Sequence, residues 1–256
     1  MKIDGDILCF GEIVWDALPE GIFLGGAPLN VAYHLNQLGR RAFPVSRIGK
    51  DFLGAQTLRN LERAGVSDKL IQTDESYHTG AVVVSLSDSG DASYEILQPA
   101  SWDFIQATED LLEHASRAGG LVYGSLATRS EHNAKLLEQL IDLVPFSVCD
   151  VNLRKPYDDP ENAIKWASKA TIVKLNDEEL DKLSPESAEA GLEDKAAAFA
   201  DRIKVGTIVV TRGGDGAFVY HEGRGFGKPS PKVDVADTVG AGDAFTAAFI
   251  SAFAEN

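Results

Sequence analysis

The sequence predicts an α/β fold, with a mainly parallel sheet covered by helices on both faces. Two observations carry that reading. Short apolar runs of strand length alternate along the chain with segments whose apolar residues recur at helical spacing. Repeated strand–helix units of this kind imply parallel pairing with helical crossovers. In such sheets ligands bind beyond the carboxyl ends of the strands, so the loops there are where chemistry is expected.

Taken in order, Ile7–Phe10 reads as the first strand. Leu29, Ala32, Leu35 and Leu38 then fall at helical spacing, and Gly39 follows as a C-terminal stop. Asp51 can N-cap a second helix carrying Phe52, Leu53, Leu58 and Leu61, and Gly65 ends it. Residues 79–87 and 93–97 are β-rich, with turn chemistry at 88–91 between them. This hairpin breaks the strand–helix rhythm and is either an extension of a sheet edge or a lid over a substrate. Residues 121–123 form a short strand, and Leu136, Leu137, Leu140 and Leu143 mark a helix. Residues 147–151, 171–175 and 207–211 are further strands. Helices lie between them at about 160–170, 177–183 and 192–203.

The length of 256 residues allows one large α/β unit or two small ones. Lys plus Arg is 24 and Asp plus Glu is 39, a net charge of −15. So acidic a surface repels nucleic acid and anionic membranes, and neither is expected as a partner. An anionic ligand would need a locally positive site. Cys9 and Cys149 each sit in an apolar strand-like run and are expected to be buried and reduced. The five histidines show no paired metal-ligand spacing, which argues against structural zinc. The first residues carry no apolar core of a signal peptide, and no run of 18 apolar residues occurs, so a cytoplasmic protein is expected.

The strongest local signal is Asp237-Thr238-Val239-Gly240-Ala241-Gly242-Asp243-Ala244-Phe245. The residues after Gly242 are helical in composition, so the glycines form a helix N-terminus with uncovered N–H groups. Such an end binds anions. Asp243 in the first turn either complements the helix dipole or, beside a phosphate, takes a proton from an attacking hydroxyl. A dinucleotide fingerprint fails here, because no further helix and strand follow Thr246. A Walker-type loop fails at 223–228, because Glu222 stands where its first glycine is needed, and that stretch reads as a flexible turn.

The stretch Asp237 to Phe245 resembles the C-terminal signature of the ribokinase-like (PfkB) carbohydrate kinases, and other segments fit in order along nearly the whole chain. Phe10-Gly11-Glu12, Asp16 and Gly25-Gly26-Ala27-Pro28-Leu29-Asn30-Val31-Ala32 resemble the family's sugar-binding end. Gly124-Ser125-Leu126-Ala127 and Asp150-Val151-Asn152-Leu153-Arg154 resemble its fructokinase branch. Asn176-Asp177-Glu178-Glu179 matches an Asn-x-x-Glu motif, and Thr211-Arg212-Gly213-Gly214-Asp215-Gly216-Ala217 resembles a nucleotide loop.

The resemblance implies a three-layer α/β sandwich with a mainly parallel central sheet and a small β lid. The lid would come from about 12–25 and 77–99, inserted in a single kinase unit over 1–256, and would also build a homodimer interface. It implies ATP-dependent phosphorylation of a small sugar at a primary hydroxyl, with fructose to fructose 6-phosphate as the first expectation. Ribose, 2-keto-3-deoxygluconate and nucleosides are acceptors of related branches, and an inactive sugar- or nucleotide-binding protein is the non-enzymatic alternative. Asp243 would be the base, with the N–H groups of Gly240, Ala241, Gly242 and Asp243 holding the transferring charge. Asp16, Gly25, Gly26, Asn30 and Arg154 would bind the sugar, the two glycines letting it approach the backbone. Asn176, Glu179, Thr211, Gly213 and Gly216 would bind ATP, with Glu179 reaching Mg²⁺ indirectly, through water and phosphate. A monovalent cation is a further candidate. Lys174 has the charge to neutralise phosphate, though a lysine at a strand end is commonplace. The resemblance also implies further C-terminal helices that the 256 residues do not include, so for this chain an adenine pocket open on one side is expected, with weak nucleotide affinity and poor base selectivity.

Overall fold

The computed structural model of the chain describes residues 4–18, 21–86, 92–185, 189–234 and 237–254, with the backbone alone over 84–86 and 92–94. Its larger sheet is built from β1 (Ile7–Phe10), β4 (Ala42–Gly49), β5 (Ile71–Asp74), β8 (Gly120–Gly124), β9 (Ser147–Asp150), β10 (Ile172–Asn176), β11 (Thr207–Thr211), β12 (Ala217–His221) and β13 (Arg224–Lys228). The order across it is β13-β12-β11-β10-β9-β8-β1-β4-β5. All pairs from β5 to β11 are parallel, and β12 and β13 add an antiparallel hairpin at one edge.

Alternation along these strands makes the three layers. Ile7, Cys9, Val122, Val148, Ile172 and Val209 point to one face, where they meet α1 (Ala27–Gln37) and α8 (Ala241–Phe253). Leu8, Phe10, Leu121, Tyr123, Cys149, Val173 and Ile208 point to the other. There they pack on α3 (Glu109–Arg117), α4 (Glu131–Leu143), α5 (Pro160–Ala167), α6 (Asp177–Leu183) and α7 (Leu192–Ile203). Parallel strands buried on both faces read as continuous apolar runs, which is why the short runs in the sequence located them. Both cysteines are buried and free, and burial pushes their thiols far up.

One expectation is corrected at the sheet edge. Residues 224–228 are not a flexible turn but strand β13, paired with β12 from Ala217↔Lys228 to His221↔Arg224. The turn itself is two residues, Glu222 (φ 46) and Gly223 (φ 83), as a tight hairpin that follows strand twist requires. Gly225 keeps clear of the Phe218 ring, to which a Cβ there would come within 2.7 Å.

The 79–97 hairpin is β6 (Gly80–Leu86) and β7 (Ala92–Ile96). It is not an extension of the larger sheet. It joins β2 (Val14–Leu18) and β3 (Gly21–Gly25) in a separate sheet of order β3-β2-β6-β7. The turn expected at 88–91 lies outside the described residues. On one side the Trp15 indole N–H donates to Thr57 Oγ1 at 3.0 Å, tying β2 to α2 (Phe52–Ala64). On the other, Val14, Val82 and Ile96 pack with Trp102 and Leu126. Asp51 caps α2 through Gly54 N–H (2.7 Å) and also accepts the N–H and hydroxyl of Thr79, so one carboxylate sets both the helix and the entry to the hairpin. No helix among the described residues is long and apolar enough to cross a membrane.

Candidate active site

Two helix N-termini, α1 and α8, meet at the carboxyl edge of the larger sheet. Helix α1 starts after Gly26 (φ 118), which provides no side-chain cap. The buried Glu12 supplies the missing acceptor: its Oε1 takes the Ala27 N–H at 3.2 Å, while Oε2 has no hydrogen-bond partner among the described residues. Burial pushes the Glu12 carboxyl up to about 7, against backbone N–H groups and the Arg154 charge, which favour ionisation; Asp243 adds a further upward push. The glycines before α1 also have a local structural reason. A Cβ on Gly26 would lie 2.3 Å from the Glu12 carbonyl oxygen, and one on Gly25 would lie 2.8 Å from Asp16 Oδ2. They make room for the protein's own oxygens. Asp16 is carried on β2, half-buried, and burial raises its carboxyl against the pull of Arg154.

Helix α8 starts after Gly240 (φ 73), which has no side-chain cap and, among the described residues, nothing within 4 Å of where a Cβ would stand. Of the N–H groups expected to hold charge, that of Ala241 is turned to the Thr238 carbonyl at 3.1 Å. Gly242 and Asp243 keep theirs free of any acceptor among the described residues. The Asp243 carboxylate is turned aside: its Oδ2 accepts Asn30 Nδ2 at 2.8 Å, which joins α1 to α8. Desolvation raises the Asp243 carboxyl, and Asp150 raises it further. The Asn30 bond and the charges of Lys174 and Arg154 pull it down.

Beneath this turn lies a buried polar cluster. Lys174 Nζ sits 3.0 Å from Asp150 Oδ1, and Thr246 Oγ1 lies 2.9 Å from Asp150 Oδ2. A Cβ on Gly242 would stand 3.1 Å from the same ammonium. The strands make this possible, since β9 and β10 are neighbours with Lys174 paired to Asp150. Asp150 and Thr246 carried no assigned role from the sequence. The available signals were a lysine in the apolar run Ile172-Val173-Lys174-Leu175 and a threonine in an Ala/Phe-rich helix.

Toward the antiparallel edge, Asn176 and Glu179 form a reciprocal cap of α6. Asn176 Oδ1 accepts Glu179 N–H (2.8 Å), and Glu179 Oε2 accepts Asn176 N–H (2.9 Å). Glu179 Oε1 also accepts Leu153 N–H at 2.7 Å, which fixes the loop that carries Arg154. Burial raises the Glu179 carboxyl, and these N–H donors oppose that. Both its oxygens are engaged, and among the described residues no group of three or more His, Cys, Asp or Glu could hold a metal ion. This donor set fits a Mg²⁺ that arrives on phosphate oxygens and keeps its waters, not one held in a protein cage. Thr211 pairs with Asn176 across β10 and β11, and Gly213 (φ 50) and Gly216 (φ 96) shape the loop that follows. Arg154 is exposed and makes no ion pair within 4 Å among the described residues; its charge acts on Glu12, Asp16 and Asp243.

A cavity of about 510 Å³ brings four of the expected residues together: Asp16, Gly25, Asn30 and Gly240, with Phe23 and Asp237 beside them. Asp243 joins them through Asn30. Thr211, Gly213 and Gly216 stand apart, at the ends of β11 and β12.

Comparison with known proteins agrees with this layout. The family model described as pfkB family carbohydrate kinase matches residues 20–256. A probable fructokinase-3 of Arabidopsis thaliana is 30% identical over 269 residues, covering 96% of this chain and 77% of the relative. A fructokinase of Escherichia coli is 29% identical, covering 94% and 82%. Among solved structures, the fructokinase of Xylella fastidiosa with bound ATP superposes with a TM-score of 0.82 at 25% identity, covering all of this chain and 83% of that one. With sheet order, helix N-termini and these relatives in agreement, the chain belongs to the pfkB family of carbohydrate kinases.

Proposed function

We propose that this carbohydrate kinase transfers the γ-phosphoryl group of ATP to a primary hydroxyl of fructose, with Asp243 as the base. The observation that carries the reading is the Asp243 carboxylate. It is held by Asn30 at 2.8 Å beside the open N-terminus of α8 and next to the cavity that contains Asp16. Fructose as acceptor and ATP as donor are supported by the fructokinases this chain is similar to.

In this mechanism Asp16 accepts hydrogen bonds from sugar hydroxyls, and Arg154 donates to a sugar oxygen or to phosphate. Asp243 takes the proton from the attacking hydroxyl as its oxygen bonds to the γ-phosphorus. The bond to the β–γ bridging oxygen breaks, and ADP leaves. The N–H groups of Gly242 and Asp243, at the positive end of α8, stabilise the charge on the transferring group. The turn at Asn176 and Glu179 and the loop with Thr211, Gly213 and Gly216 hold the nucleotide on the other side. A bound Mg²⁺ would supply charge neutralisation, and Asn176 and Glu179 are the residues that would help to hold it.

The second sheet acts as a lid over the sugar that excludes competing water. Its exposed Ile22 and Val83 support a contact between two copies through the same element. The test is coupled ADP release with fructose, ribose, 2-keto-3-deoxygluconate, a nucleoside and no acceptor. The expected result is the highest kcat/KM with fructose. A higher value for another acceptor reassigns the substrate, and binding of sugar and ATP without turnover removes the enzyme reading.

A further inference from the structure

The catalytic turn of α8 rests on a charge cluster that the mechanism above leaves without a task. Asp150 is almost fully buried, and both its oxygens are used, one by Lys174 and one by Thr246. Lys174 is also buried. Its ammonium has three protons, and among the described residues it has Asp150 as its one partner. Leaving a cation under the positive end of a helix is unfavourable unless anions offset it. Here two anions offset the ammonium: Asp150 in the sheet, in direct contact with it, and Asp243 in the first turn of α8, whose carboxyl the Lys174 charge pulls down. Thr246 lies one turn after Gly242, and its Oγ1 is 2.9 Å from the Gly242 carbonyl as well as from Asp150. Its single proton goes to the carboxylate, the charged and stronger acceptor. That bond pins the first turn of α8 to the end of β9.

We propose that Asp150 is a positioning residue of the transfer reaction, fixing the seat of α8 through Thr246 and holding the Lys174 ammonium beneath Gly242. This rests on the reading of Asp243 as the base. Lys174 then does for Asp243 what bulk water would do in an open site: it favours the ionised carboxylate that burial opposes. The groups that face Asp243 from each packed element are Asn30 on α1, Glu12 after β1, Asp150 on β9, Lys174 on β10 and Arg154 in the loop after β9. Of the two positive charges, Lys174 is buried and fixed by an ion pair, whereas Arg154 is exposed.

The experiment is the pH profile of kcat/KM for the parent, Lys174→Met, Lys174→Arg and Thr246→Val, with Asp243→Asn as the reference for the underlying reading. A parallel set in a Glu12→Gln background keeps the titration of Glu12 from overlying the acid limb. Lys174→Met is expected to move the acid limb to higher pH, and Lys174→Arg to return it. Thr246→Val keeps the charges and is expected to lower kcat about tenfold with the acid limb unmoved. Should Lys174→Met yield too little folded enzyme, Lys174→Gln carries the same test, since its amide still donates to Asp150 without the charge. An acid limb that stays put in both neutral variants, or an unchanged kcat in Thr246→Val, overturns the proposal. Retained turnover in Asp243→Asn instead overturns the assignment of the base, so the two failures are told apart.

Discussion

Helices α1 and α8 begin in the same way and serve opposite ends. Each starts at a glycine with positive φ, each lacks a side-chain cap, and both lie on the same face of the sheet. At α1 the protein closes the helix end itself. Glu12 accepts the first N–H, and the space beside Gly26 is filled by the Glu12 carbonyl. At α8 nothing among the described residues fills the space beside Gly240, and the acid belonging to that turn bends away to Asn30. An uncapped helix N-terminus is an anion site in waiting. What separates the closed end from the open one here is where the nearest carboxylate points. At α1 it faces the N–H groups and consumes one. At α8 it faces sideways, and the N–H groups of Gly242 and Asp243 keep no acceptor among the described residues.

The largest effect is expected where that sideways carboxylate is neutralised. Asp243→Asn keeps the shape and the amide partner of Asn30 but removes the proposed base. Steady-state kinetics should show kcat lower by on the order of 10² to 10⁴. ATP affinity should hold or rise, since a negative charge near phosphate is gone. Equal turnover in parent and variant would assign the proton to another group.

The glycines test the contrast in space. Gly26→Ala places a methyl 2.3 Å from a backbone oxygen at φ 118, so a loss of roughly 3 kcal/mol or more in denaturant melts is expected. Gly240→Ala meets nothing, and only its left-handed backbone opposes it, at about 1–2 kcal/mol. Similar losses at both positions would mean that the two ends are equally open.

The third prediction uses pH. The folded pKa of Glu12 lies above its ordinary value, so the stability it contributes is complete below about 4.5 and is lost as pH rises through about 7. Glu12→Gln has no such titration. Relative to the parent, the variant should gain up to about 3 kcal/mol between pH 4.5 and 8 in parallel melts. A constant difference across that window would mean that Glu12 stays ionised. The smallest effect is confined to the sugar. Asp16→Ala should weaken fructose binding by roughly 1–3 kcal/mol with little change for ATP, measured by separate calorimetric titrations. The reverse pattern would exchange the two ends of the site.

Much of this molecule was legible from local chemistry. The α/β class, the caps at Asp51 and Gly65, the hairpin at 79–97 and the glycine-started α8 all follow from periodicity and from residues a turn apart; that the hairpin belongs to a second sheet does not. The reciprocal cap of Asn176 and Glu179 is of that kind, because its partners are three residues apart on one helix. Strand β4 was harder. Pro44 and Arg47 interrupt its apolar run, and the strand tolerates the proline because β5 pairs only with residues 46–49, so β4 is an edge at Pro44. Strand β13 was misread because its glycines look like a loop until the Phe218 ring beside them is known.

The sequence by itself determined which residue types gather at the carboxyl ends of the strands, since burial and capping are written at short range. Only the tertiary structure decided how they pair. Asn30 reaches Asp243 across 213 positions, and Thr246 reaches Asp150 across 96. Those meetings depend on strand order, which sets β9 beside β10, and on α1 and α8 lying side by side over one face of the sheet. Short-range periodicity does not specify that order. It is selected when the whole apolar surface is buried at once, and the charges that tune Asp243 are positioned by it.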